Sequence, residues 1–181
     1  MIKLIDILKE IQTQPKKRIG DGEHGVVYNV GKNKVVKKSN QNDGFSSDEI
    51  KYYKIYNKYP NIFPHIYKLT KDYVIMDKLD SPGKQLMDVY EFCDDINIWR
   101  EEDYMRKIYN SIKDNNFETF NKILEKSKEL NETQIYNTLK KCLNFCTELY
   151  KMFQNTDIDL HLNNIGMDDN NNIKIFDISI K

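Results

Sequence analysis

The sequence predicts an α+β protein in which a strand-rich first lobe is followed by a mostly helical second lobe. Between Lys17 and Lys38, short β-branched runs are separated by glycines and a polar turn, whereas apolar residues recur at helical spacing from about residue 86 to 153. The breaker-rich stretch DSPGKQ, residues 80–85, separates the two patterns. We therefore expect one lobe over residues 1–79 and another over residues 80–181.

The first lobe is expected to contain a leading amphipathic helix, two or three antiparallel strands, a second helix and two further strands. Ser46, Ser47 and Asp48 offer N-caps to the second helix, which should begin near Glu49 and run to about Lys58. The other expected elements are the helix over residues 2–12, strands near Ile19, Val26–Val30 and Val35–Val36, and strands His65–Leu69 and Tyr73–Met76.

The second lobe is expected to contain four helices and a closing hairpin. Apolar periodicity places the helices near residues 86–92, 100–114, 116–130 and 132–153, and the last has the clearest apolar stripe. The hairpin pairs Ile165–Met167 with Ile173–Phe176, because the intervening Asp and Asn residues tolerate left-handed backbone.

The composition bounds the function without naming it. The 181 residues carry 28 basic and 28 acidic side chains, so bulk charge supports no role on nucleic acid or a membrane surface. Three cysteines, an odd number with no export signal, indicate reduced thiols in the cytoplasm. The absence of alanine and the excess of Lys over Arg, 25 to 3, suggest an AT-rich genome such as that of a virus, which would place the protein in the host cytoplasm.

A glycine motif, Gly20, Gly22 and Gly25 followed by Val27, lies between two strand-like runs. Glycine lets the backbone approach phosphate oxygens and donate N–H bonds, but the same spacing also serves ordinary hairpins, so both readings stay open. On the next strand Lys37 shares a face with Val35, and Lys38 lies on the other face. We expect Lys37 to neutralise phosphates, with Lys38 as the alternative and Glu49 as the ion-pair partner.

Asp159, Asn164 and Asp177 form a third constellation, spaced five and then thirteen residues apart. Asp159 follows a long helix and could accept a proton from a hydroxyl, while Asn164 and Asp177 flank the hairpin, whose ends should return to one place. Amide and carboxylate oxygens of this kind suit Mg²⁺. The alternative is that these residues are turn formers.

Taken together, these motifs resemble the protein kinase-like fold from about Arg18 to Asp177. The resemblance implies ATP and Mg²⁺ as cofactors, with Asp159 as the catalytic base and Asn164 and Asp177 as metal ligands. It also makes Met76 a gatekeeper before the Asp77–Leu79 hinge. The nucleotide site that it implies comprises Gly20, Gly22, Gly25, Val27, Val35, Lys37, Glu49, Met76, Asp77 and Leu79.

The chain also departs from the protein kinase pattern. Asp157 and Ile158 replace the usual His-Arg before the base, and nothing follows Lys181, so we expect a shortened second lobe without an activation segment or later helices. His161 makes the loop DLHLNN, which is similar to that of aminoglycoside and choline kinases. It is expected to contact the transferring phosphate, or otherwise to be a packed, hydrogen-bonded loop histidine.

The resemblance favours an ATP- and Mg²⁺-dependent kinase that phosphorylates Ser/Thr hydroxyls of a protein. Two alternatives remain: a small-molecule kinase of the aminoglycoside or choline type, and a pseudokinase that binds a host protein. A shortened second lobe would expose apolar surface, which leaves a homodimer open.

Overall fold

The chain divides into two compact units, the first ending at Leu79 and the second beginning at Asp80. The computed structural model describes residues 17–22, 25–98, 104–154 and 158–176. The predicted leading helix over residues 2–12 lies outside these ranges. The α+β class is confirmed, because the first unit is built on an antiparallel sheet and the second is mainly helical.

The described part of the first unit contains five strands in the order β1-β2-β3-β5-β4, and every neighbouring pair is antiparallel. One helix, α1, lies between β3 and β4 in the described part of the unit. The bounds are β1 Arg18–Gly22, β2 Gly25–Asn29, β3 Lys34–Lys38, α1 Ser47–Tyr56, β4 Ile66–Leu69 and β5 Tyr73–Asp77. Gly20 and Gly22 therefore lie within a strand, whereas the sequence suggested a loop.

A small apolar cluster packs on one face of the sheet. Val30, Val36 and Ile75 are buried together, and Tyr28 and Tyr73 pack against them. Burying side chains of this size stabilises a fold by roughly 1.5–3 kcal/mol each. Since Val36 points into this cluster, its neighbour Lys37 must point to the opposite face.

The second unit packs four helices and then adds a short hairpin. The helices are α2 Lys84–Asp95, α3 Tyr104–Lys113, α4 Glu118–Glu129 and α5 Thr133–Met152. A 3₁₀ turn, Leu162–Asn164, leads into the antiparallel strands β6 Ile165–Met167 and β7 Ile173–Ile175. These elements agree in kind and order with the sequence prediction, although α2 begins earlier and ends later than expected.

Three of these helices end in the same way, at an asparagine with left-handed backbone. Asn97, Asn115 and Asn131 have φ values of 59°, 49° and 58°. Each donates its N–H to a carbonyl three residues back, and the residue after each donates to a carbonyl five residues back. This is the Schellman motif, which satisfies carbonyls at a helix end and usually employs glycine. In this chain, asparagine takes the place of glycine.

Helix α5 forms the centre of the second unit and packs against α2, α3 and α4. Its fully buried stripe is Leu139, Cys142, Cys146 and Leu149, a helical repeat that places them on one face. Burial raises the pKa of the Cys142 thiol to about 12. No helix in the described ranges combines the length and the apolarity needed to cross a bilayer.

Candidate functional site

The first group of candidate residues lies on the sheet face opposite the apolar cluster. Val27 pairs with Lys37, which pairs with Val74, and directly opposed residues in antiparallel strands share a face. Lys37 is only 4% exposed, whereas Lys38 is exposed on the other face. Of the two lysines considered from the sequence, Lys37 is therefore the one that the sheet holds among apolar neighbours.

Gly20 also belongs to this face, because it pairs with Val27. Among the described residues, a Cβ atom added at Gly20 would meet only the Val27 side chain, at 3.7 Å and 3.8 Å, which is ordinary van der Waals contact. The fold therefore leaves room for a side chain at Gly20. A requirement for glycine there would have to come from a ligand.

Gly25 is required by the fold itself. A Cβ atom added there would lie 2.4 Å from the Lys38 carbonyl oxygen and 3.2 Å from Cγ of Lys37. The bare backbone of Gly25 thus lets β2 approach β3 and makes room for the stem of the Lys37 side chain. Gly22 pairs with Gly25 across the β1–β2 hairpin.

The next row of the same face holds Asn29, Val35 and Met76, which are cross-strand neighbours. Val35 is 6% and Met76 2% exposed, so the candidate gatekeeper is well buried. The side-chain oxygen of Asn29 is buried without a hydrogen-bond partner among the described residues. Nothing in the sequence pointed to Asn29, because an asparagine at the end of a strand is typical of a turn.

The Asp77 side chain binds the edge strand β4 and the residue before it. Its carboxylate accepts hydrogen bonds from the Tyr67 hydroxyl at 2.7 Å and from the His65 N–H at 3.0 Å. Burial, together with this bond to Asp77, raises the pKa of Tyr67 to about 12. These bonds could not be predicted from the sequence, since they depend on the pairing of β5 with β4 and with the residue before it.

The backbone of the predicted hinge is partly used by the fold. The Asp77 N–H donates to the His65 carbonyl and the Lys78 N–H to the Asn33 carbonyl, both at 3.0 Å. Among the described residues, no backbone carbonyl outside the strand ladders accepts the N–H of Leu79. Leu79 is therefore the better candidate than Asp77 to donate a backbone hydrogen bond to a nucleobase.

Glu49 has a clear local role at the start of α1. Its carboxylate accepts the Ser46 N–H at 2.8 Å, while the Ser46 hydroxyl accepts the Glu49 N–H at 3.2 Å. This reciprocal pair is a capping box, which the spacing Ser-x-x-Glu encodes. An ion pair of Glu49 with Lys37 stays a prediction.

The second group of candidate residues lies in the loop that follows α5. Ile158, Leu160 and Leu162 are 3%, 0% and 3% exposed, so every second residue anchors the loop in the core. The alternate positions, Asp159 and His161, project to the other side. Their side chains meet there, with His161 Nε2 3.1 Å from Asp159 Oδ1. The sequence interpretation that placed His161 on a phosphate did not include this contact.

Asn164 joins this loop to the hairpin. Its side-chain Nδ2 donates to the backbone carbonyl of Asp159 at 3.3 Å. Its backbone carbonyl accepts the Phe176 N–H at 3.0 Å. Because Nδ2 is held by Asp159, the side-chain oxygen of Asn164 points away from that bond. Phe176 immediately precedes Asp177 in the sequence, so the hairpin brings the chain back beside Asn164 just before Asp177. Asp177 itself lies outside the described residues.

The hairpin is stabilised by its turn. The Asp168 carboxylate accepts N–H bonds from Asn170 and Asn172, both at 2.9 Å. Burial alone would raise the pKa of Asp168, but these bonds and the nearby Lys174 together lower it. The turn therefore keeps β6 and β7 in register, with Ile165 opposite Ile175, and this register sets the distance between Asn164 and Phe176.

The two residues that the sequence suggests as metal ligands, Asn164 and Asp177, carry side-chain oxygens of the kind that suits a magnesium ion. Mg²⁺ prefers oxygen ligands and commonly takes one or two protein ligands together with water and phosphate oxygens. Asn164 would supply an amide oxygen and Asp177 a carboxylate. In the described residues, no group of three or more His, Cys, Asp or Glu side chains is arranged to bind a metal.

No protein-family model matches the chain, and no curated protein matches it either. The chain is partly similar to solved structures, among which are the following three. The gentamicin complex of APH(2″)-IIa has a TM-score of 0.45 at 11% identity, over 100% of this chain and 73% of that one. The streptomycin–ATP–APH(2″)-IIa ternary complex has a TM-score of 0.40 at 10% sequence identity, over 99% of this chain and 73% of that one. ADP-bound aminoglycoside phosphotransferase APH(2″)-Ib has a TM-score of 0.37 at 11% sequence identity, over 95% of this chain and 69% of that one. TM-scores this low carry no argument about what this chain does.

Proposed function

We propose that this protein is an ATP- and Mg²⁺-dependent phosphotransferase that moves the γ-phosphoryl group of ATP to a hydroxyl. The observation that carries the proposal is the double link of Asn164, to the Asp159 carbonyl and to the Phe176 N–H. That link joins the loop of the proposed base to the segment that enters Asp177.

The proposed nucleotide-binding residues belong to the first unit. The sheet face offers the nucleobase an apolar surface, formed by Val27, Val35 and Met76. On the same face, Lys37 provides a positive charge for the phosphates. The open backbone of Gly20 lies on the same face and would let phosphate oxygens approach closely. Leu79 would donate its backbone N–H to the nucleobase.

The proposed catalytic residues belong to the second unit. Asp159 would orient the acceptor hydroxyl and accept its proton as transfer proceeds. Asn164 and Asp177 would hold Mg²⁺, which when bound neutralises charge on the phosphates. The contribution of the chain is otherwise to position and to neutralise, which is what phosphoryl transfer requires.

For the acceptor, the resemblance of the first unit to protein kinases favours a Ser or Thr hydroxyl of a protein. A different observation favours a small hydroxylated amine. The second unit holds 13 basic and 19 acidic residues, while the first holds 15 basic and 9 acidic. A net charge of −6 on the unit with the proposed base attracts cationic acceptors.

The test is ATP turnover with Mg²⁺, offered in parallel to a protein mixture and to a panel of hydroxylated amines. Asp159→Asn should lower turnover by about 100- to 10,000-fold, the usual contribution of a general base, while ATP binding by thermal shift persists. Asp114→Asn is the matched control, because Asp114 is an exposed aspartate of the same unit. It should retain the wild-type rate.

The outcomes separate the candidate functions. Transfer to protein with none to the amines identifies a protein kinase, and the reverse identifies a small-molecule kinase. ATP binding without turnover on any acceptor would favour the pseudokinase. Wild-type turnover in Asp159→Asn would refute the assignment of the base.

A further inference from the structure

The proposed base has one side-chain partner in the described part of the chain, and that partner is His161. Nε2 of the imidazole lies 3.1 Å from Oδ1 of Asp159. The side chain of Asp159 is 29% exposed and that of His161 50% exposed, so both are accessible to a substrate. The contact is therefore not a by-product of burial in the core.

The contact is built into the backbone of the loop. The buried residues Ile158, Leu160 and Leu162 force the positions between them to the opposite side. His161 has extended backbone, with φ −70° and ψ 146°, and its carbonyl accepts the Asn164 N–H at 2.9 Å. The backbone that carries the ring is thus held on one side by the buried neighbours of His161 and on the other by the 3₁₀ turn.

The chemistry of the contact defines its direction. An ionised carboxylate can only accept hydrogen bonds, so Nε2 must carry the proton whether the ring is neutral or charged. A carboxylate can rotate about its last bond, and its two oxygens are equivalent until something distinguishes them. The close approach of Nε2 distinguishes Oδ1 from Oδ2, and an N–H turned towards Oδ1 would hold the carboxylate and leave Oδ2 for the hydroxyl of the acceptor.

We propose that His161 is a positioning residue that orients the Asp159 carboxylate for proton abstraction, an inference that rests on the proposed phosphotransferase function. This differs from one of the two roles that the sequence left open, in which His161 contacts the transferring phosphate; the other was that of a packed, hydrogen-bonded loop histidine. A positioning role requires a hydrogen-bond donor at this place and does not require a positive charge.

The test compares two substitutions and one control. His161→Phe keeps a planar ring but removes the donor, and should lower kcat about 10- to 100-fold with little change in the KM for ATP, since misplacing a catalytic group has an effect of this size. His161→Gln keeps an N–H donor and should recover most of the loss. His65→Phe is the control, because His65 is exposed in the first unit and its bonds to Asp77 are made by its backbone, which the substitution keeps. It should behave as wild type.

Each result decides between the readings. Full kcat in His161→Phe would overturn the positioning role, and so would a His161→Gln variant as impaired as His161→Phe. A raised KM for ATP in both His161 variants would indicate that His161 contacts the phosphate, and would also overturn the positioning role. Failure of the proposed function is distinguishable, because the wild-type protein itself would then show no turnover, and the inference would fall with it.

Discussion

Two glycines of the same hairpin should respond in opposite ways to the same substitution. Gly25→Ala places a Cβ atom 2.4 Å from the Lys38 carbonyl oxygen, whereas Gly20→Ala places one 3.7 Å from the nearest atom of Val27. Ordinary contact begins at 3.4 Å, so β2 must move away from β3 by about 1 Å in the first variant. The second variant requires no movement.

The size of the effect follows from this difference. Overpacking of a well-packed region costs about 1–3 kcal/mol, and in a chain of this length each kcal/mol lowers Tm by roughly 2–4 °C. Gly25→Ala should therefore lower Tm by roughly 2–12 °C. Gly20→Ala should leave Tm within a degree or so of wild type, yet raise the KM for ATP, because its methyl group enters the face that carries Lys37.

The measurement is a thermal melt of both variants beside wild type, followed by ATP titration of each. Equal losses of Tm would show that Gly20 is as constrained as Gly25 and would contradict the β1–β2 register. An unchanged KM for ATP in Gly20→Ala would mean that this glycine contacts no phosphate. Gly25→Ala with wild-type Tm would refute the close approach of β2 to β3.

Three further predictions concern single positions. Lys37→Met should raise the KM for ATP at least tenfold, the effect of losing about 1.4 kcal/mol of binding, and Lys38→Met should not; equal effects would contradict the facial assignment. Burial raises the pKa of Cys93 from 9.0 to about 12, so its thiol adds stability that is complete below pH 9 and lost as pH rises towards 12. Cys93→Ala should therefore weaken the alkaline fall in the free energy of unfolding, measured by urea titration between pH 7 and 11, and an identical pH profile would speak against it. Asn131→Ala should cost about 1 kcal/mol in the same assay while Asn131→Gly should not, because only glycine and asparagine adopt left-handed backbone easily; equal stability of the two would argue against the Schellman cap.

The sequence predicted well whatever depends on neighbours along the chain. Periodicity is local, so the order of strands and helices followed from it, as did the closing hairpin. Alternation along β3 correctly separated Lys37 from Lys38. The capping box of Ser46 and Glu49 could also have been read, since it needs only their spacing of three residues. The Schellman caps were missed because asparagine is a weaker signal for a helix end than glycine.

The residue sequence by itself determined the type and order of the elements, because backbone preference and apolar spacing act within a few residues. Only the tertiary structure decided which side chains meet on each face of the sheet, since that depends on pairings such as Val36 with Ile75 across two strands. In the same way, Asp159 and His161 meet because Leu160 between them is drawn into the core. Long-range burial selects one of the two sides that a local pattern leaves equivalent.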